Sequence, residues 1–408
     1  WRAVNRRAGR EPVTYPHPSL EPILRRTLGV ALFQEQLLRI AMTVAGFTGG
    51  EAEELRRALG AKRSRQRMEA IEKRLRAGMA ERGIVGDTAQ TIVRSIASFA
   101  LYGFPESHAA SFALLAYASA YLKAHHPAAF LCALLNNQPM GFYAPFTLVK
   151  DAQRHGVRVR PVDVLRSDWR CSLDAGAVRL GLSYVTGLRR EVGERIAIER
   201  ARAPFDGVEA LVERAQPRRD EVRRLAEVGA LSSLGMTRRE ALWQVERACQ
   251  PCGPLLRDRG GEDDVSPLPE MPLDVRIARD LEGVGVTCGT HPVALYRSLL
   301  RARGVLSAAE LTGLPDGSRV RVAGAVICRQ RPGTAKGFLF MTLEDETGLI
   351  NVTVRPDLYA RARAVLVSAG LLEVEGVLQA REGLSVRALS ARAADMAKAP
   401  DLPSRDFR

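Results

Sequence analysis

The sequence predicts a multidomain α+β protein, in which a mostly α-helical part precedes a five-stranded β-barrel of the OB type. Apolar residues recur at helical spacing through the first 140 residues, and two later segments place helices on either side of a glycine turn. Residues 318–396 are strand-like, with one short helix between the third and fourth strands. This order of elements is typical of an OB-fold.

The first 140 residues read as successive helices. Leu37, Ile40, Ala41 and Val44 follow the spacing of one buried helix face. The stretch "YGFPESHAASFALLAYASAYLKAHHPAAF" is apolar on nearly every side after Ser107-His108. Two interpretations stay open: a capped core helix, or a helix start that faces a bound substrate.

The overall charge favours a polyanionic partner. The chain has 408 residues and a formal net charge of +14, and nucleic acid is the simplest partner for such a basic protein. Free use of arginine by a GC-rich genome is the alternative explanation. Nine of the 21 residues from Arg56 to Arg76 are Lys or Arg, against two Glu. Helix-dipole effects and Glu53–Arg57 pairing need only one or two of these cations, so the surplus indicates phosphate binding.

Two segments predict tandem helix-hairpin-helix units. "LGLSYVTGLRREVGERIAIERA" places Gly187, Arg189 and Arg190 between helices, and "RRDEVRRLAEVGALSSLGMTRREALW" is a divergent second copy. In such a unit the turn amides and the next helix N-terminus meet a DNA phosphate without reading bases. Before these units, "WRCSLDAGAVRLGL" alternates around Asp174-Ala175-Gly176 and predicts a small β-hairpin.

The barrel segment "GFLFMTLED" separates its residues onto two faces. Leu339, Met341 and Leu343 fall on one face of the strand, and Phe338 and Phe340 fall on the other. The outer aromatic side chains could stack on bases of a single strand. The alternative is that a small, curved barrel buries parts of both faces.

Several other kinds of site are not expected. Six cysteines without regular spacing argue against a disulfide framework, and Cys249 and Cys252 lack the second ligand pair of a zinc site. The apolar run Ala109–Leu122 is too short for a bilayer, so no membrane association and a cytoplasmic location are expected. No pair of aspartates on a strand suggests a two-metal centre. Because the chain starts at Trp1 rather than at a methionine, we expect this sequence to be a fragment of a longer protein.

Several long motifs resemble bacterial C-family DNA polymerases, the relatives of the replicative polymerase III alpha subunit. The fingers motifs of that family are similar to "GVALFQEQLLRIAMTVAGF", "ELRRALGAK" and the stretch that begins at Tyr102. The order continues with "NNQPMGFY", "HGVRVRPVDV" and "SDWRCSL", and the first and last of these are closer to the error-prone, damage-inducible branch. The resemblance covers essentially all of residues 1–396.

The resemblance implies a translesion DNA polymerase of which this chain is the C-terminal part. The palm, with its three metal-binding aspartates, precedes the matching region in the family, and its motif is absent here. The chain is therefore expected to contain no catalytic residue and to be inactive alone, with Mg²⁺ bound by the palm outside it. The stand-alone alternative is a non-catalytic nucleic-acid-binding protein built from the same modules.

The residue patterns and the resemblance together give the expected partners, site residues and domain bounds. Deoxynucleoside triphosphates are expected at Arg56, Arg57, Lys62 and His108; for His108, helix capping is the alternative. Template-primer and single-stranded DNA are expected at a second set: Arg63, Arg65, Gly187, Arg189, Arg190, Phe338 and Phe340. The region before the barrel lacks the Gln-led clamp-binding peptide of replicative relatives, so accessory translesion proteins would link the enzyme to the sliding clamp. The expected domains are fingers 1–140, hairpin region 141–250, linker 251–315, OB-fold 316–396 and disordered tail 397–408.

Overall fold

The structure, a computed structural model, divides into two compact units, residues 1–121 and 122–408. It describes residues 2–60, 65–99, 105–141, 143–249, 268–380, 383–394 and 405–407. Among the helices of these ranges, none combines the length and the apolar character that crossing a membrane requires.

The first unit is helical, as predicted. Short 3₁₀ turns accompany its first helices at Pro18–Leu20 and Arg25–Thr27. Its helices are α1 (Arg2–Arg7), α2 (Glu21–Leu24), α3 (Gln34–Ala45), α4 (Gly49–Gly60), α5 (Arg65–Glu81), α6 (Gly86–Phe99) and the first part of α7 (Glu106–His125). The predicted apolar face of α3 is buried against Leu55, Leu75 and Met79 of α4 and α5. The helical spacing in the sequence therefore identified the core of this unit.

Helix α7 differs from a core helix. None of its residues is buried, and large apolar side chains such as Leu114 and Tyr117 are more than 70% exposed. A helix that is apolar on all sides is normally buried. Helix α7 is therefore exposed over its described residues although it is apolar on nearly every side.

The second unit begins with two helices and a small sheet. Helices α8 (Pro127–Asn136) and α9 (Pro145–Arg154) precede strands β1 (Val159–Arg160), β2 (Ser172–Asp174) and β3 (Ala177–Arg179). β2 and β3 pair antiparallel through a turn in which Ala175 and Gly176 have positive φ, which confirms the predicted hairpin.

The hairpin region contains four helices around two glycine turns. They are α10 (Arg190–Arg202), α11 (Val208–Ala215), α12 (Arg219–Glu227) and α13 (Arg238–Ala248). The first predicted hairpin differs from expectation at its start, since only a 3₁₀ turn, Leu182–Tyr184, precedes Gly187. The second hairpin has a full helix on each side of its turn.

The region expected to be a linker also differs from expectation. Residues 251–267 of it lie outside the described ranges, but the rest forms α14 (Leu273–Val284), a 3₁₀ segment (Pro292–Tyr296), α15 (Arg297–Ala302) and α16 (Ala308–Leu311). Ile277, Val293 and Leu300 are at most 2% exposed. Their burial makes this segment part of the folded unit, although Pro, Gly and acidic residues dominate the composition just before it.

The barrel has the predicted OB order. Its elements are β4 (Arg319–Gln330), β5 (Leu339–Glu344), β6 (Leu349–Val354), α17 (Pro356–Ser368), β7 (Leu371–Gln379) and β8 (Ser385–Ala393). The neighbours run β5-β6-β8-β7-β4, and β4 also pairs with β5, which closes the sheet into a five-stranded barrel. Of the tail expected to be disordered, residues 397–404 and 408 are outside the described ranges, while β9 (Arg405–Phe407) pairs parallel with β4.

Helix α9 attaches the barrel to the rest of the second unit. Phe146 is buried in a cluster with Val293, Ala323 and Leu371, the last two from the outer wall of the barrel. Beside it, Glu344 at the end of β5 accepts hydrogen bonds from Thr147 Oγ1 at 3.0 Å and from Arg154 Nη2 at 2.8 Å. Burial raises the pKa of Glu344, and the contact with Arg154 opposes that rise.

Candidate nucleic-acid interface

The two fingers arginines lie side by side on α4. Glu53 accepts hydrogen bonds from Arg56 Nε and Nη2 at 2.7 and 2.6 Å and from Arg57 Nε at 3.2 Å. The hydrogen bond from Arg56, supported by the one from Arg57, lowers the pKa of Glu53 to about 2. Two guanidinium groups are thus held around one carboxylate at an exposed surface. The sequence had indicated the Glu53–Arg57 pairing, and the structure confirms it.

The remaining basic residues of this cluster are only partly described. Lys62 and Arg63 lie outside the described ranges, and Arg65 opens α5 without a described side chain. Arg74, further along α5, pairs with Glu54 at 2.7 Å and lies over the ring of Phe47 at 5.7 Å. The Arg74–Glu54 ion pair between α5 and α4 therefore accounts for part of the excess of cations.

His108 lies in the first turn of α7, one turn before Phe112. The two ring centroids are 4.4 Å apart and the rings are tilted by 56°. The first N–H of the helix, that of Glu106, donates to Glu35 Oε2 at 2.9 Å, and Glu106 pairs with Arg26 at 3.0 Å. The helix start is thus capped by a glutamate from α3.

The first hairpin turn uses most of its amides internally. Gly187 has φ +84°, the positive value that this tight turn requires, and it is exposed. Thr186 N donates to Gly283 O at 2.8 Å, Leu188 N to Val185 O at 3.1 Å, and Arg189 N to Glu221 Oε1 at 2.9 Å. Fewer amides than expected therefore face outward at this turn.

Glu221 joins the starts of α10 and α12. Its carboxylate accepts two hydrogen bonds from the Arg189 guanidinium at 2.9 Å and one from Arg218 N at 2.7 Å. Burial favours the neutral acid, but these hydrogen bonds and that from Arg189 N outweigh it and lower the pKa of Glu221 to about 2. Arg189 is therefore held by a buried carboxylate, whereas Arg190 is more exposed and pairs with Glu194 on its own helix.

Helix α14, from the segment expected to be a linker, packs against both hairpin turns. Gly283 O of α14 accepts the hydrogen bond from Thr186 N at the first turn. At the second turn, Asp280 of α14 pairs with Arg238 at the start of α13 at 2.7 Å. A Cβ at Gly283 would lie 2.3 Å from Val228 Cγ1, so only glycine permits this approach. Sequence reasoning missed α14 and Glu221; only the acidic residue at the third position of α12, typical of a capping box, pointed to Glu221.

On the barrel, the two predicted aromatic residues have different surroundings. Leu339, Met341 and Leu343 are at most 4% exposed, whereas Phe340 between them is 40% exposed, as strand alternation predicts. Phe338 precedes the strand, is half-buried, and donates its N–H to Ala335 O at 3.0 Å. Phe340 alone of the two is on the open face of a strand.

Family models match three parts of the chain. They are the bacterial DNA polymerase III alpha subunit finger domain over residues 2–83, the helix-hairpin-helix motif over 156–241, and the OB-fold nucleic acid binding domain over 315–393. An error-prone DNA polymerase of Anaeromyxobacter dehalogenans is 48% identical over 99% of this chain. The chain belongs to the bacterial error-prone DNA polymerase family. Another error-prone DNA polymerase, of Methylococcus capsulatus, is 43% identical over 99% of the chain.

The chain spans little more than a third of these family members. It covers 37% of the Anaeromyxobacter protein and 41% of the Methylococcus protein, and it corresponds to the C-terminal part. Among solved structures, asparaginyl-tRNA synthetase from Pyrococcus horikoshii is 22% identical, with a TM-score of 0.20 over 24% of each chain. The family assignment therefore rests on the sequence relatives and on the three matched models.

Proposed function

We propose that this chain supplies the fingers, hairpin and OB modules of an error-prone DNA polymerase that copies damaged templates. The observation that carries the proposal is the 48% identity to such a polymerase over 99% of the chain. The family models for fingers, helix-hairpin-helix and OB-fold match this chain in that order. The fingers, hairpin and OB bounds expected from the sequence belong to this proposal, as does a location in the bacterial cytoplasm. The linker expected at 251–315 does not, because α14 to α16 fold there.

In this proposal the incoming deoxynucleoside triphosphate binds at the fingers. Arg56 and Arg57 are adjacent and exposed and already surround one anionic group, the carboxylate of Glu53. A planar guanidinium fork suits phosphate oxygens, and the shared positive charge would stabilise the leaving pyrophosphate. Lys62 and His108 are proposed to complete this site.

A divalent metal requirement accompanies this family, but the described residues do not fit a metal site. Across the ranges that the structure describes, no group of three or more His, Cys, Asp or Glu side chains could hold an ion. We propose that the palm of the longer protein binds Mg²⁺.

DNA contacts are proposed for the second unit and for the basic residues Arg63 and Arg65 that follow α4. Gly187, Arg189 and Arg190 would face the duplex, Arg63 and Arg65 would approach the template, and Phe340 would meet the unpaired strand. The engagement of Arg189 by Glu221 leaves Arg190 as the more accessible cation at this turn. Accessory translesion proteins are proposed to provide the link to the sliding clamp.

Primer extension tests the proposal. The complete gene product is expected to extend a primer on a template with Mg²⁺ and deoxynucleotides. Residues 1–408 alone are expected to bind the same primer–template without extending it. A complete gene product that binds DNA but never extends a primer would instead favour a stand-alone nucleic-acid-binding protein.

A further inference from the structure

The open face of the OB barrel places one aromatic and one cationic residue in a single row across three strands. Phe340 on β5 is paired with Thr353 on β6, and Thr353 is paired with Arg387 on β8. Paired residues of neighbouring strands share a face, and two strand spacings separate Phe340 from Arg387 by about 10 Å. Thr353 and Arg387 are half-buried, while Phe340 is exposed.

A second row lies beside the first, two residues along each strand. Thr342 is paired with Asn351, and Asn351 with Ser385. Hydroxyl and amide groups can both donate and accept hydrogen bonds, so they suit any base edge. The six positions of the two rows contain no carboxylate.

The same row continues from Arg387 through Val377 on β7 to Arg319 on β4, and the arginines further along this surface are paired with carboxylates. Glu373 is 3% exposed and binds Arg303 at 2.8 Å and Arg392 at 2.6 Å. Glu375 pairs with Arg319 at 3.1 Å. The arginines of that surface are neutralised by neighbouring carboxylates.

Arg387 lacks such a counter-ion. Within the part of the chain that the structure describes, no carboxylate pairs with it, and its Nε is buried without a hydrogen-bond acceptor. A guanidinium group held near an open surface without a carboxylate is suited to an anion that arrives from outside.

We propose that Phe340 and Arg387 form one subsite for single-stranded DNA, in which a base stacks on Phe340 and a backbone phosphate binds Arg387. This inference rests on the proposed function, because it specifies how the barrel holds unpaired template. Stacking tolerates every base, and phosphate contact carries no sequence information. Such a subsite holds a template regardless of damage to its bases.

The test measures binding of the whole 408-residue chain to a labelled oligo(dT) of about 15 nucleotides over a range of salt concentrations. Arg387→Gln is expected to weaken binding about tenfold and to make the slope of log K against log salt shallower by about 0.7, one phosphate on a single strand. Phe340→Ala is expected to weaken binding without changing the slope. Arg319→Gln removes the same charge from the ion-paired surface and is expected to change neither quantity.

Two comparisons decide the outcome. If wild-type protein binds oligo(dT) and Phe340→Ala weakens it, but Arg387→Gln behaves like Arg319→Gln, the subsite is wrong while the proposed function stands. Wild-type protein that does not bind oligo(dT) contradicts the proposed role of the barrel itself. Should Arg387→Gln melt early, Arg387→Lys provides the test: a wild-type salt slope with weaker affinity supports the subsite, and wild-type affinity overturns it.

Discussion

Glu221 accepts hydrogen bonds from both the backbone N–H and the guanidinium of Arg189, 32 residues earlier in the chain. The same carboxylate caps α12 through Arg218 N. One buried carboxylate thus holds the N–H and the guanidinium of Arg189 at the start of α10 and leaves Arg190 as the more exposed cation of this turn.

Replacing Glu221 is therefore expected to destabilise the hairpin region. Glu221→Gln removes the charge from an ion pair whose acidic partner is 1% exposed, and we expect a loss of about 2–3 kcal/mol in the free energy of unfolding. Glu194→Gln, which removes an exposed partner from Arg190, is the matched control and should change it by less than about 0.5 kcal/mol. Urea denaturation of the two variants measures both; equal effects would contradict the role assigned to Glu221.

The same group predicts an acid dependence. The pKa of Glu221 is lowered in the folded protein to about 2, below its unfolded value. The stabilisation is therefore complete above the unfolded pKa, near 4.3, and is lost as pH falls from there towards 2. Wild-type stability should fall more steeply than that of Glu221→Gln across this window. Parallel curves would show that Glu221 titrates normally.

Attachment of the barrel is expected to depend on Arg154. Among the described residues, Arg154→Ala leaves the buried carboxylate of Glu344 with Thr147 and the nearby Lys150, and removal of one partner from a buried pair costs about 3–5 kcal/mol. Thermal unfolding should show this loss. The matched control is Arg355→Ala, an exposed arginine that pairs with Asp357 and should leave the melting temperature nearly unchanged.

In the complete enzyme, Arg56→Ala or Arg57→Ala should impair nucleotide use and leave DNA binding nearly intact. Loss of one charge-assisted bond costs about 1.5–3 kcal/mol, roughly ten- to a hundredfold in kcat/KM for the nucleotide. Arg76→Ala, which removes an ion-paired arginine from α5, is the control. Steady-state primer extension and a DNA-binding titration separate the effects. An equal loss of DNA affinity would mean that these arginines hold template.

Glu53→Gln extends this test, because it removes the charge that holds both arginines. If a triphosphate replaces Glu53 as their partner, the KM for nucleotide should stay the same or fall. A rise in KM comparable to that of Arg56→Ala would show that Glu53 positions the arginines instead.

Duplex DNA binding by residues 1–408 should be independent of sequence and steeply dependent on salt. If about four phosphates are neutralised, log K should fall with log salt at a slope near −3.6. The expectation follows from the net charge of +14 and from the hairpin region. Fluorescence anisotropy with two unrelated duplexes measures the slope, and a slope near zero would contradict it.

The aromatic residues of the barrel should behave differently from each other. Phe340→Ala removes an exposed ring, so melting should stay near normal while single-strand affinity falls at least tenfold. Phe338→Ala removes a half-buried ring outside the strand and should lower the melting temperature more. Phe146→Ala, in the buried cluster beside α9, is the folding control and should cost about 3–5 kcal/mol. A Phe340 variant that melts early would place its ring in the core.

Outside the start of the first hairpin and the segment before the barrel, the sequence by itself determined the type and order of the elements. The face of α3, the Ala175-Gly176 turn and the outward position of Phe340 all follow from periodicities of a few residues, which the backbone geometry of helices and strands imposes locally. The family motifs determined the assignment in the same way, because they are contiguous stretches of sequence.

Only the tertiary structure decided which distant residues meet. Glu221 reaches Arg189, Arg154 reaches Glu344, and Arg387 enters the row of Phe340 through strand pairing. No local pattern encodes such contacts, because they depend on how separate elements pack and on which charges remain unpaired after packing. Composition likewise suggested a linker before the barrel, whereas α14 is held in place by Asp280 and by the close approach that Gly283 allows to the second hairpin.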